Sequence, residues 1–227
     1  MSIAKLITID GPSASGKSSV SREVARRLGW PWVSTGAFYR GLALAALKNK
    51  VVASDEKALV SLASDTLWKI KMTPEDTLVL FDDLDVTGEI FGEKVGAMAS
   101  QISQIPGVRS ALLQRQRDCF QPSRGLVAEG RDCGTVVFPK AAAKIYLTAS
   151  PSLRAMRRSE QEQESLEETL KLQKDRDKQD SQRRVAPLKV ADGALTIDSS
   201  YLSLAEVVDE VLKYAQSLGI KDLVKGP

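Results

Sequence analysis

Residues 3–19, IAKLITIDGPSASGKSS, decide the architecture. Ile3 to Ile9 is an apolar run suited to a strand buried on both faces, and Asp10 ends it. Gly11 to Ser18 then fits G-x-x-x-x-G-K-[ST], in which glycines let successive backbone N–H groups turn inward around phosphate oxygens. From Ser18 to Leu28 apolar and charged residues sort at helical spacing, and Gly29 with Pro31 stops the helix. Strand, turn and helix form one device for a phosphate chain. Lys17 supplies a cation for the β- and γ-phosphates, the Ser18 hydroxyl can ligate Mg²⁺, and the helix N-terminus adds partial positive charge.

Working outward, Trp32 to Ser34 reads as a second strand. Thr35 is placed to cap a helix running through Arg40 towards Leu47, and Ser54 to cap another through Ala63. LWKIKM, TLVLF and LDV, between Leu67 and Val86, predict a small antiparallel sheet. Glu89 to Ile105 is expected to be helical, and Pro106 opens a further helix to about Phe120. Leu126 to Ala128, Lys144 to Leu147 and Leu195 to Ile197 are short buried strands, the last followed by an amphipathic helix from Leu204 to Leu218. Five strands alternating with helices imply an α/β fold on a parallel sheet. Leu153 to Asp180 is charged and helix-prone, reads as a solvated helical hairpin, and is stopped by Pro187.

Composition limits the chemistry. The 227 residues are 43% apolar and 27% charged, which suits a single globular domain, and 32 Lys and Arg against 29 Asp and Glu leave only +3. So balanced a charge argues against coating nucleic acid or adhering to membranes, and no stretch reaches the roughly 18 apolar residues of a membrane helix. The N-terminal run meets Gly11 and Pro12 at once and does not read as a signal peptide, so a cytoplasmic location is expected. Cys119 and Cys133 lack metal-ligand spacing and receive no role. Without histidine, Ser-His, Cys-His and His-zinc mechanisms are all excluded. The chemistry must run on carboxylates, cations, hydroxyls and bound metal.

A phosphate loop also serves GTPases, motors and transporters. A guanine reader needs N-K-x-D, but Asn49-Lys50 is followed by Val51 and Val52, which disfavours a GTPase. No run of four apolar residues ends in an aspartate where a Walker-B strand belongs; Leu195 to Asp198 is the nearest and comes too late. A small-molecule kinase tolerates that absence.

GPSASGKSS (11–19), STGAFYRGLALAAL (34–47), EGRDCGTVVFP (129–139) and RDKQDSQRRVAPL (176–188) together resemble the bacterial cytidylate kinases of the nucleoside monophosphate kinase superfamily. The resemblance covers nearly the whole chain, with four motifs in order. It implies a P-loop three-layer sandwich on a five-stranded parallel sheet, with core segments 1–34, 106–155 and 188–227. A monophosphate-binding insertion of about 35–105 would contain the antiparallel sheet, and a helical lid would span about 156–187. The implied reaction is ATP-dependent, Mg²⁺-assisted phosphorylation of CMP and dCMP by a monomer that binds neither nucleic acid nor membrane.

By this resemblance Gly11, Pro12, Ser13, Ala14, Ser15, Gly16, Lys17, Ser18, Ser19 and Arg157 hold ATP, with Ser18 on the metal. Arg158 shares with Arg157 the possibility of reaching ATP phosphate or lying against adenine. Thr35 and Arg40 flank a helix start of the kind that attracts phosphate, and Arg131 suits a phosphate at the carboxyl end of the sheet. Asp132 would accept from cytosine's exocyclic amino group, joined at the base by Arg109 and Ser100, which taken alone are ordinary helix-surface residues. Arg176, Asp180 and Arg183, at i, i+4 and i+7, would share a helix face; the family places Arg176 and Asp180 at the sugar and Arg183 at phosphate. Lys17, Arg40, Arg131 and Arg183 are the expected catalytic cations. Two departures stand out: Thr35 replaces the usual serine, and Ala14 replaces the middle glycine of many relatives. The alternatives are a kinase with UMP, AMP or shikimate as acceptor, or an ATP-switched module that holds a partner or RNA. The near-neutral charge and the lack of aromatic interleaving in the hairpin argue against RNA.

Overall fold

The computed structural model describes residues 4–162 and 165–220. In chain order it contains Leu6–Asp10 (β1), Lys17–Leu28 (α1), Trp32–Ser34 (β2), Gly36–Lys48 (α2), Glu56–Ala63 (α3), Trp68–Met72 (β3), Thr77–Phe81 (β4), Leu84–Asp85 (β5), Glu93–Ile102 (α4), Pro106–Arg117 (α5), Leu126–Gly130 (β6), Ala143–Thr148 (β7), Pro151–Glu162 (α6), Leu166–Ser181 (α7), Leu195–Asp198 (β8) and Leu204–Ser217 (α8). A 3₁₀ turn at Glu89–Phe91 precedes α4, and a π-helical turn at Cys133–Val137 follows β6. Ile3, where the first strand was expected to begin, lies outside the described residues.

Five parallel strands run in the order β2-β6-β1-β7-β8, as the alternation of strands and helices predicts. β1 is central and buried at every position. Its side chains alternate between two cores: Leu6 faces the one with Phe38 and Leu42, while Ile7 and Ile9 face the one with Val20, Val24 and Val208. A continuous apolar run is what a strand covered on both faces needs, and each such side chain contributes about 1.5–3 kcal/mol by leaving water. α1 and α8 cover one face; α8 begins with a capping box in which Ser203 and Glu206 satisfy each other's backbone N–H. Gly29 ends α1 in the left-handed conformation (φ 63°).

The predicted inserted sheet is present as antiparallel β3-β4-β5. Asp82 and Asp83, both at positive φ (49° and 63°), make the tight two-residue connection between β4 and β5. Trp68 anchors the sheet: its ring meets Phe38 edge-on at 6.4 Å, and its Nε1 donates to the Leu62 carbonyl at 2.8 Å. α2 packs between this sheet and α4.

Three boundaries differ from expectation. α3 is capped by Asp55, not Ser54: the Asp55 carboxylate accepts from the Ala58 N–H at 3.0 Å, and both residue types cap well, so only the helix start separates them. The helix expected over Glu89 to Ile105 is broken at Gly92, which is extended (φ −58°, ψ 149°) and separates the 3₁₀ turn from α4. α7 stops at Ser181, so Arg183 lies beyond the helix rather than on a common face with Asp180. α6 and α7 pack on each other as the hairpin. Among the described residues, no helix is long and apolar enough to cross a membrane.

Candidate active site

The turn after β1 can be built only with glycine at its start, because a Cβ on Gly11 would lie 2.0 Å from the Leu147 carbonyl oxygen. Gly16 at φ 88° delivers the chain into α1. Ser15 Oγ donates to the Pro12 carbonyl at 3.0 Å, and Lys17 Nζ donates to the same oxygen at 2.5 Å. Burial pulls the Lys17 ammonium down to about 8, against the pull of Glu129 and with the push of Arg131. A phosphate chain would supply the missing counter-charge. Ala14 takes φ 57°, a left-handed conformation that explains why a glycine is at home in this place.

A carboxylate does stand beside the phosphate loop, where the sequence shows no Walker-B aspartate, and it is a glutamate. Leu126, Val127 and Ala128 are fully buried, and Glu129 at their carboxyl end accepts from Ser18 Oγ at 2.8 Å. The requirement for four apolar residues and an aspartate passed over this strand; an acid directly after any buried strand next to the loop is the signal that finds it. Ser18 and Glu129 present hard oxygen donors of the kind Mg²⁺ takes. Among the described residues, no group of three or more His, Cys, Asp or Glu side chains could hold a metal. A divalent ion here would therefore need further oxygens, from water or a bound phosphate chain.

Thr35, Arg40, Ser100, Arg109, Arg131, Asp132, Asp180 and Arg183 line one cavity with Lys17, Ser18 and Glu129. Thr35 occupies the position before α2, but its hydroxyl caps nothing; the residue is helical and its Oγ1 donates to the Glu129 carbonyl at 2.9 Å. Arg40 donates to the Ile90 carbonyl at 2.8 Å and lies 5.6 Å over the Phe91 ring. Arg109 and Asp132 form a buried ion pair, and Arg109 also donates to the Ser103 carbonyl at 3.2 Å and faces the Tyr39 ring at 5.5 Å. Burial pushes the Tyr39 phenol up to about 12.

Arg131 pairs with Asp180, which also lies 3.3 Å from the Arg183 guanidinium, so the segment after α7 folds back into the cavity. Burial holds Arg183 below its usual value, with the neighbouring charge of Arg109 acting in the same direction. Ser100 Oγ donates to Gln179 Oε1 at 3.4 Å, joining α4 to α7. The side chain of Arg176 lies outside the described residues.

Arg157 is tied to the phosphate loop through Ser199: it donates to the Ser199 carbonyl at 3.1 Å, and Ser199 Oγ donates to the Ser15 carbonyl at 3.2 Å. Arg158 lines a second cavity with Ser13, Ala14, Ser18 and Arg22. Arg154, which drew no attention in the sequence, is only 4% exposed and donates to the Ser13 and Ala149 carbonyls, both at 3.1 Å, and to Asp177 of α7 at 2.7 Å. Asp10 was also missed. Its buried carboxylate accepts from the Cys133 and Gly134 N–H groups at 2.8 and 2.7 Å, and burial still raises it to about 6.

Residues 7–217 match the family model described as cytidylate kinase. A cytidylate kinase of Bdellovibrio bacteriovorus is 56% identical over 212 residues, covering 93% of this chain and 98% of that protein. One from Aeromonas salmonicida is 45% identical over 223 residues, covering 96% of each. The crystal structure of an uncharacterized protein from Eubacterium ventriosum superposes with a TM-score of 0.52 at 15% identity, over 93% of this chain and 98% of that one, a likeness of fold alone. With a family model matching residues 7–217 and a relative 56% identical over 93% of its length, this chain belongs to the cytidylate kinases.

Proposed function

We propose that the protein transfers the γ-phosphoryl group of ATP to CMP and dCMP, giving CDP and dCDP. One observation carries this reading: the cavity that holds Lys17 and Ser18 also holds the Arg109–Asp132 pair, so a donor phosphate and an acceptor base have room in one space. A carboxylate there accepts from the amino group of cytosine, and the guanidinium donates to N3 and O2. Uracil would set a carbonyl against Asp132, a discrimination of about 1–3 kcal/mol.

Phosphoryl transfer runs through a loose transition state, so catalysis rests on alignment and neutralisation. An acceptor phosphate is already anionic and needs no strong base, consistent with the absence of histidine. Lys17 neutralises the donor phosphates, Arg40 and Arg131 the acceptor phosphate, and Arg183 the oxygens between them. Thr35 and Ser100 line the acceptor side, while Arg176 and Asp180 serve its sugar. Residues 11–19 and Arg157 hold ATP. Ser18, supported by Glu129, would hold Mg²⁺, whose chemistry is to draw charge from the phosphate oxygens. Closure of the α6–α7 lid, about residues 156–187, over the insertion, about 35–105, excludes water that would otherwise hydrolyse ATP. The enzyme is assigned to the cytoplasm as a monomer.

A coupled ADP-release assay with CMP, dCMP, UMP, AMP and shikimate tests this. CMP and dCMP are expected to dominate; a preference for another acceptor overturns the substrate assignment, and no turnover with any favours a binding module. Arg183→Ala should lower CMP-dependent ADP formation by about 100-fold or more, since a guanidinium on transferring oxygens contributes several kcal/mol. An unchanged rate would remove Arg183 from the phosphate path.

A further inference from the structure

Asp10 ends the central strand one residue before the phosphate loop, yet its side chain serves the other half of the site. Its two oxygens accept separately, one from the Cys133 N–H at 2.8 Å and one from the Gly134 N–H at 2.7 Å. These N–H groups open the π-helical turn Cys133–Val137, and the first turn of any helix leaves such donors without intrahelical partners. No side chain within the turn caps it. Asp10 therefore acts as an N-cap delivered from a neighbouring strand, with β1 and β6 in register at Asp10 and Gly130. Arg131 and Asp132 lie between Gly130 and the clamped turn, so their backbone is held at both ends.

The packing leaves the clamp little slack. Asp10 is 3% exposed. A Cβ on Gly134 would lie 3.0 Å from Thr8 Oγ1 and 3.3 Å from both Asp10 Oδ2 and the Ala191 Cβ, so a side chain there would press the turn away from Asp10 by a few tenths of an ångström. We infer that Asp10 is a positioning residue for acceptor recognition: by clamping the turn after β6, it fixes where Asp132 meets the base and where Arg131 meets the acceptor phosphate. The inference rests on the proposed function and adds to it a residue that touches neither nucleotide.

An amide in place of the carboxylate offers one oxygen and turns an NH₂ towards the second N–H, so Asp10→Asn frees half of the clamp without changing the volume. The KM for CMP is expected to rise about tenfold, the worth of one hydrogen bond to a charged group, with the KM for ATP changed by less than about twofold. The CMP-to-UMP ratio of kcat/KM should fall with it. In an Asp132→Ala background the same substitution should cause no further loss of that ratio, because Asp10 acts through Asp132. Gly134→Ala pushes the turn from the other side with the carboxylate intact; it should show the same split between CMP and ATP, and it keeps the test open if Asp10→Asn does not fold. Parallel rises in both KM values with an unchanged CMP-to-UMP ratio, or additive losses with Asp132→Ala, would place Asp10 in the phosphate cradle and overturn the inference. If the unaltered enzyme fails to phosphorylate CMP, the functional reading falls and this inference with it. An active enzyme with an even loss overturns the inference alone.

Discussion

Ala14 shows how much one Cβ can cost. It holds φ 57° in the middle of the phosphate loop, where a side chain is disfavoured by about 1–2 kcal/mol. Part of that is offset because glycine loses more freedom on folding. Ala14→Gly is therefore expected to stabilise the unliganded protein by about 0.5–1 kcal/mol, read by urea denaturation. A destabilised variant would contradict the strain. Lys17 gives a pH signature. Its folded value of about 8 lies below the ordinary 10.5, so the unfolded chain binds more protons between those values. The cost of burying the ammonium is thus present below about pH 8 and fades as pH rises towards 10.5. Unfolding free energies measured from pH 8 to 10 should rise more steeply in the unaltered protein than in Lys17→Met; equal slopes would count against a destabilised ammonium.

Among elements, the α6–α7 hairpin is more than a solvated cover. Arg154 ties it to the loop, donating to the Ser13 carbonyl and to Asp177 at once. Arg154→Met keeps much of the apolar stem but strands two carbonyls, and should cost about 1–3 kcal/mol of stability. Because Ser13 belongs to the phosphate loop, the KM for ATP should rise more than the KM for CMP; steady-state kinetics with each substrate varied decides it. The inserted sheet depends on a different fit. Gly41 of α2 lies under Trp68, where an added Cβ would meet ring carbons at 3.0 and 3.1 Å and Val79 at 3.2 Å. Gly41→Ala should destabilise the protein by about 1–3 kcal/mol through overpacking, measured by thermal unfolding. A neutral result would mean that the tryptophan shifts freely.

At the scale of the whole molecule, local signals and tertiary placement divide cleanly. The run from Leu6 to Ser18 and the stop at Gly29 specify strand, loop and helix, because they depend on period and backbone freedom within a few residues. Gly92 and Asp55 moved boundaries by a few residues, since neighbouring residue types compete to end or start a helix on nearly equal terms. The phosphate loop is legible from its own residues, whereas Arg109 and Ser100 stand out only through the family resemblance. What the chain order could not reveal is who partners whom. Asp10 and Gly134 are 124 positions apart, Ser18 and Glu129 111, and Ser13 and Arg154 141. Those bonds exist only because parallel strands bring their carboxyl ends to one edge of the sheet. The sequence by itself determined the phosphate loop and the α/β class. Only the tertiary structure decided that Glu129 stands beside Ser18, that Arg109 neutralises Asp132, and that Asp10 holds the turn between them, because burial makes each polar group find a partner wherever the fold places one.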